Sequence, residues 1–238
     1  MAQTPKEQRL ARDRARKAYW DKPLDTPLRR AHAWYDSMIR DGRISGLFYA
    51  NKHPLAPDVW RSSQPTPFGV RRFAAAGGRS ILSLRGDNCG GSYALEREEA
   101  DRLGLTFQFW RCSAARVVPA EGVQTLIDQL RTLERPLLIH CKSGADRMGF
   151  VSVVFKHVIE GVPINEALDQ LSLRYGHIRS SRTGVLDLFF ESYIAQNDGG
   201  ALSFEDWLHN RYDPEQVNAS FQKGPVVGWI EEKILRRE

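Results

Sequence analysis

Between Asp58 and Phe150 the chain alternates short apolar runs with amphipathic segments, and this alternation constrains the fold more than any other feature. "DVWRSS", "RSILSL", "LTFQFW" and "RPLLIHC" read as strands, with a further short apolar run near "LFYA". Between them lie a helix with Pro67 near its first turn and "SYALEREEADRLG", stopped by Gly104. "PAEGVQTLIDQLRTLE" follows, with Pro119 suited to the first helical position. Strands joined through helices predict βαβ crossovers and a mainly parallel sheet covered on both faces. Ligands of such sheets bind at the carboxyl ends of the strands. "LRGDN", "WRCSAAR" and "CKSGADR" would all leave that edge, so arginines of three loops converge there and favour an anionic ligand.

The flanks differ from this centre. Residues 1–40 carry ten Lys/Arg against five Asp/Glu, leaving 24 of each in residues 41–238. Lys6–Ala18 and Leu28–Arg40 read as helices separated by the prolines of "DKPLDTP". Beyond Arg147 the pattern is helical again over Met148–Glu160, Asn165–Tyr175 and Val185–Ala195, then "SFEDWLHNRY" and "PVVGWIEEKIL". The expected organisation is a basic helical extension over 1–45, an α/β domain over 46–197, and helices over 198–238 packed on that domain. The basic extension is either a solvated face or an arm for anionic lipid or an acidic partner, with Trp20 and Trp34 as anchors. No nucleic-acid recognition motif accompanies the charge.

The length of 238 residues allows one sizeable core, and 42% hydrophobic with 26% charged residues is ordinary for a folded soluble chain. The N-terminus lacks the apolar stretch of a secretory signal, and no run reaches the ~18–20 apolar residues of a membrane span. Three cysteines, Cys89, Cys112 and Cys141, are too few for a disulfide framework and lack zinc-ligand spacing, so a reducing, cytoplasmic setting is expected, peripheral to the membrane if the arm binds lipid. No metal or cofactor is called for.

"LLIHCKSGADRMGF" puts Cys141 at the mouth of a strand, with Arg147 opening the following helix. A loop at a helix N-terminus presents amides and a dipole that favour an anion. Gly144 lets the backbone curl around a phosphate-sized group, and Arg147 offers a planar fork for two of its oxygens. The same amides favour the thiolate of Cys141, which can attack phosphorus in line. His140 supports the loop from beneath.

"HCKSGADRMG" resembles the phosphate-binding loop of the cysteine-based protein tyrosine phosphatase superfamily, and looks most like its compact bacterial dual-specificity branch. "WRSSQPTP" and "ILSLRG" extend the resemblance over roughly Leu47 to Tyr193. It implies a dual-specificity-phosphatase-like α/β fold with Cys141 as nucleophile and Arg147 as phosphate clamp. The amides of Lys142, Ser143, Gly144, Ala145 and the residues up to Arg147 would form the cradle. Two features depart from that pattern. The loop "WRCSAARVVPAE" lacks the aspartate that protonates the leaving group; Asp146 is the stand-in, or else a loop brace, with Asp87 and Glu121 behind it. Met148 replaces the hydroxyl residue that usually follows the arginine, which implies slow turnover.

Lys142, Arg85, Arg111, Arg116, His177, Arg179 and Arg182 together would suit a substrate more anionic than a lone phosphotyrosine, such as a phosphorylated lipid, sugar or inositol. Cys112 would be placed to protect Cys141 as a disulfide on oxidation. The expected function is phosphomonoester hydrolysis through phosphocysteine, on a phosphoprotein or on an anionic phospholipid or phosphosugar. The alternatives are a phosphate-reading pseudophosphatase and, disfavoured by the spacing of Arg147, a sulfurtransferase.

Overall fold

The computed structural model describes residues 4–41, 50–86 and 90–221. Asp87, Cys89, the first residues of "LFYA" and the segment "PVVGWIEEKIL" lie outside the described residues. Five strands form one sheet: β1 (His53–Ala56), β2 (Val59–Ser62), β3 (Ser80–Ser83), β4 (Thr106–Phe109) and β5 (Leu137–His140), in the order β1-β2-β5-β3-β4. β5 pairs parallel with β2 and β3, β3 pairs parallel with β4, and only β1 runs antiparallel. This is the predicted α/β class with a mainly parallel sheet flanked by helices.

Parallel pairing buries β3 and β5 along their whole length, which is why "SILS" and "LLIH" read as continuous rather than alternating runs. The connecting helices are α3 (Pro67–Ala75), α4 (Gly91–Arg102) and α5 (Ala120–Thr132). Thr66 caps α3, accepting from Gly69 N–H at 3.0 Å, with Pro67 in the first turn. Pro119 sits one place earlier than expected, as the cap of α5 rather than its first residue. α5 turns Val123, Leu126, Ile127 and Leu130 inward at helical spacing, each contributing about 1.5–3 kcal/mol by burial. "HPLA" escapes sequence reading because Pro54 interrupts it. On an edge strand the missing N–H is tolerated.

α6 (Asp146–Val154) follows β5 and continues as a π-helical turn to Ile159. The helix expected over Asn165–Tyr175 is instead α7 (Ile164–Ala167) and two 3-10 turns, Leu168–Gln170 and Leu173–Tyr175. The break has a cause in β2. Buried Arg61 donates through Nη1 to the backbone oxygen and Oε1 of Gln170, both at 2.9 Å. Its guanidinium also stacks 3.8 Å from the Tyr175 ring centroid. A continuous helix would use the Gln170 carbonyl internally, so the chain opens to serve the arginine.

α8 (Val185–Gln196), α9 (Phe204–Asn210) and α10 (Pro214–Ser220) complete the described chain. Phe189, Phe204, Trp207 and Tyr193 form one aromatic cluster in the main core. At the other end, α1 (Pro5–Trp20) begins with a reciprocal Thr4–Glu7 capping box, and α2 (Pro27–Tyr35) leads into a π-helical turn ending at Arg40. Trp20 is not available as a membrane anchor: it is buried with Leu24 and Ala33 against Ala94 and Leu95 of α4. Trp34 is partly exposed, at 38%. Among the described residues no helix is long and apolar enough to cross a membrane.

Candidate active site

The strands deliver the site by register. Ser62, Ser83 and His140 are level across β2, β3 and β5, so Ser63, Leu84 and Cys141 leave the sheet together at its carboxyl edge. Cys141 N–H donates to the Ser62 carbonyl at 3.4 Å, and Gln64 N–H to the Lys142 carbonyl at 3.2 Å. The chain then curls back, and Gly144 N–H points at the Cys141 sulfur from 3.1 Å. Gly144 is at φ +75, where a Cβ would lie 2.8 Å from the backbone nitrogen of Ser63, so the position excludes any side chain.

Buried groups hold this loop from three sides. Arg61 Nη2 donates to the Gly144 carbonyl at 3.0 Å, and Asn51 Nδ2 to the Ser143 carbonyl at 3.2 Å. Beneath it, His140 Nε2 and Glu96 Oε1 face each other at 2.8 Å with both side chains buried. Glu96 Oε2 accepts from Gln64 Nε2 at 2.6 Å, and Gln64 Oε1 from Arg85 at 2.8 Å. Arg85 grips Asp41 with two bonds of 2.7 Å, and Asp41 also accepts from Ser92 and lies 3.8 Å from Lys142 Nζ. Burial would raise the Asp41 pKa, but the Arg85 charge and these bonds outweigh it and hold the carboxyl below its ordinary range.

Cys141 is buried within the loop, only 1% exposed, and the loop meets the neighbouring cleft through Lys142 and Arg147. Arg147 is part-buried at the start of α6, donating to the Leu84 carbonyl at 3.5 Å. Together with Lys142, Arg85 and Arg111 it lines a cleft of about 730 Å³. Cys112, Ser113 and Ala114 form another part of the wall, and both Cys112 and Cys141 are thiols rather than disulfide partners. The loop bearing Cys112 is pinned by the C-terminal helices. Val117 N–H donates to Asn218 Oδ1 at 3.1 Å, and Tyr212 donates to the Val118 carbonyl at 2.8 Å. This gives the "FEDWLHNRYDPEQV" segment a role that its sequence does not reveal.

Of the expected site residues, Cys141, Lys142, Ser143, Gly144, Ala145 and Arg147 form one turn, with His140 below it. Asp146 is turned to other work. Its Oδ1 accepts from His177 Nδ1 at 2.8 Å and from Thr183 at 2.9 Å, and it does not line the cleft. His177 Nε2 bonds Asp187 at 2.8 Å. Burial would lower the His177 pKa, yet the bonds and charges of Asp146 and Asp187 outweigh it and raise it to about 9. The imidazole is therefore a buried cation between two carboxylates, not a surface charge near the substrate.

Arg179 pairs with Glu191, and Arg116 is exposed outside the cleft lining. Glu121 occupies the first turn of α5, as a dipole-stabilising acid does. Met148 is fully buried, and the nearby Ser152 hydroxyl donates to the Met148 carbonyl at 2.7 Å. Sequence reasoning missed Arg61, Gln64 and Glu96, which support the loop, and Asp41, which gathers Arg85 and Lys142. "WRSSQP" was the available signal for the first two.

The chain thus forms a mixed, mostly parallel five-stranded sheet with the cysteine loop at its carboxyl edge. No protein-family model matches the chain, and no curated protein matches it. Among solved structures it is similar to the core catalytic domain of the S. cerevisiae PP-IP phosphatase SIW14, at 17% identity and a TM-score of 0.48, over 63% of this chain and 92% of that one. It is also similar to P. aeruginosa TpbA, at 19% identity and a TM-score of 0.44, over 71% of this chain and 89% of that one. TpbA has also been solved in complex with pTyr.

Proposed function

We propose that the chain is a cysteine-dependent phosphomonoesterase. The observation that carries this reading is the Gly144 amide 3.1 Å from the Cys141 sulfur, inside a loop that opens on a cationic cleft. The amide donates to the sulfur, and the adjoining amides with Arg147 receive the phosphate oxygens. The sulfur attacks phosphorus opposite the leaving oxygen: the P–S bond forms as the P–O bond breaks, and the electron pair goes to the leaving group. Water then cleaves the P–S bond, restoring the thiolate and releasing phosphate.

Asp146 is better suited to bracing than to proton donation. A donor must hold a proton and reach the leaving oxygen. Asp146 instead accepts two hydrogen bonds, one of them from a histidine whose cationic form it stabilises. Its part in the reaction is to hold the start of α6, and with it Arg147, against His177.

The substrate is a phosphorylated protein, sugar or lipid head group. A bilayer presentation suits the N-terminal helices, where Leu28, Tyr35 and Ile39 are exposed beside basic residues. The test is phosphate release from phosphotyrosine peptide, sugar phosphates and phosphoinositide vesicles, with Cys141→Ser as control. Release abolished by the substitution supports the reading. Binding without release on every substrate favours a phosphate-reading pseudoenzyme, the role suggested by buried Met148 in place of a hydroxyl.

A further inference from the structure

The cleft that Lys142 and Arg147 of the cysteine loop line is built only partly by the loops of the α/β core. Arg16 of α1 and Arg40, from the turn after α2, line it as well, so that six cationic side chains face two carboxylates, Asp36 and Asp41. The charges fall into connected groups. Arg147 and Lys142 belong to the cysteine loop; Asp41 gathers Lys142, Arg85 and Ser92. Asp36, 1% exposed, gathers Arg16 at 3.8 Å and Arg40 at 3.7 Å while accepting the Gly91 N–H of α4 at 2.7 Å. One carboxylate that already caps a helix cannot neutralise two guanidiniums, which are 51% and 63% exposed. A volume of about 730 Å³ also lies within the range of clefts that enclose a whole small ligand, about 300–1,000 Å³.

We propose that this cleft holds two anionic groups of one substrate, a phosphomonoester on the Cys141 loop and a second phosphate at Arg16 and Arg40. The substrate class is a small polyhydroxylated scaffold, a sugar or cyclitol, bearing two phosphates. The scaffold is either free or the head group of a lipid. This inference rests on the reading of the Cys141 loop as a phosphate cradle and adds a subsite from helices outside the α/β core. Charge-assisted bonds from two guanidiniums make the second group selective for a phosphate over a neutral hydroxyl.

The experiment measures binding to the full-length Cys141→Ser protein by calorimetry, with a sugar bisphosphate and its matching monophosphate. The bisphosphate is expected to bind about tenfold or more tighter, the size of one or two charge-assisted bonds. R16Q/R40Q in the same background is expected to erase most of that ratio. Equal affinity for the two ligands, or a ratio that survives R16Q/R40Q, overturns the proposal. A thermal melt checks the fold of the double variant. If it unfolds, the single R40Q, at an exposed side chain, carries the same comparison. Because binding is read in a protein that cannot form phosphocysteine, absence of turnover in the wild type would sink the catalytic reading and leave this result standing. Tighter binding of the head group on vesicles identifies a lipid carrier, and equal or tighter binding of the free compound identifies a soluble one.

Discussion

Arg61→Met tests whether the phosphate loop is held from below by one buried guanidinium. Methionine keeps the length of the stem but removes the donors to the Gly144 carbonyl at 3.0 Å and to the Gln170 backbone oxygen and Oε1 at 2.9 Å. It also removes the cation 3.8 Å from the Tyr175 ring centroid. A hydrogen bond from a charged donor is worth about 1.5–3 kcal/mol, but burying the guanidinium costs several kcal/mol that the substitution gives back. The net loss is therefore about 2–4 kcal/mol. In a chain of this size 1 kcal/mol moves the melting temperature by about 2–4 °C, so a fall of about 5–15 °C is expected in a thermal melt.

The same substitution loosens the Gly144 peptide, whose N–H serves the Cys141 sulfur. Displacing a reacting group by about 1 Å costs about 10²-fold in rate, and phosphate release should fall by one to two orders of magnitude. Arg61→Lys keeps a charge but cannot span Gly144 and Gln170 at once, so it should recover part of the stability and little of the rate. A folded Arg61→Met protein that loses less than about 1 kcal/mol and releases phosphate at the wild-type rate would refute the reasoning.

Three further outcomes follow from the same contacts. His177 is raised from 6.5 to about 9, so its contribution is fully present below pH 6.5 and lost as pH rises through 9; it amounts to about 3 kcal/mol. Urea denaturation at pH 6 and pH 10 should show that drop in the wild type and a flatter profile in His177→Gln, and equal profiles would contradict it. Gly144→Ala, at φ +75 and 2.8 Å from the Ser63 nitrogen, should cost about 1–3 kcal/mol and most of the phosphate release, while unchanged kinetics would show that the loop tolerates a Cβ. Asp146→Asn and His177→Gln should be non-additive in stability by about 1–3 kcal/mol in a double-mutant cycle. Loss of activity confined to substrates with poor leaving groups, with stability unchanged in Asp146→Asn, would instead assign Asp146 the proton.

The parts legible in the sequence are those set by local pattern. β5 and α6 were readable because an uninterrupted apolar run meets a helical one across Cys141–Ala145, and the loop between them carries its chemistry in consecutive residues. α5 was readable because its buried residues recur at helical spacing. What is not legible depends on partners distant in the chain. The segment from Asn165 to Tyr175 has helical composition, and it breaks because Arg61, 109 residues earlier, takes the Gln170 carbonyl. Asp146 reads either as a loop acid or as a loop brace, and the partners that meet its oxygen, His177 and Thr183, lie 31 and 37 residues later. Buried polar groups must find partners, and sequence shows the group without showing the partner.

The N-terminal extension carries this furthest. Read along the chain, its surplus of basic residues belongs either to a solvated face or to an arm for an anionic partner. In the fold, Trp20, Leu24 and Ala33 fix it on α4, and Asp36 supplies the cap that Gly90, lacking a side chain, cannot give to α4. That cap brings Arg16 and Arg40 to the mouth of the cleft, while Asp41, five residues after Asp36, meets Arg85 and, through Gln64 and Glu96, His140 next to Cys141. The helices outside the α/β core are thus tied to the cysteine loop by a run of polar contacts that is part-buried at Asp41 and Arg85 and buried at Glu96 and His140. Loosening them should therefore disturb the phosphate cradle and the outer charges together, although neither Asp36 nor Asp41 belongs to the loop that carries Cys141.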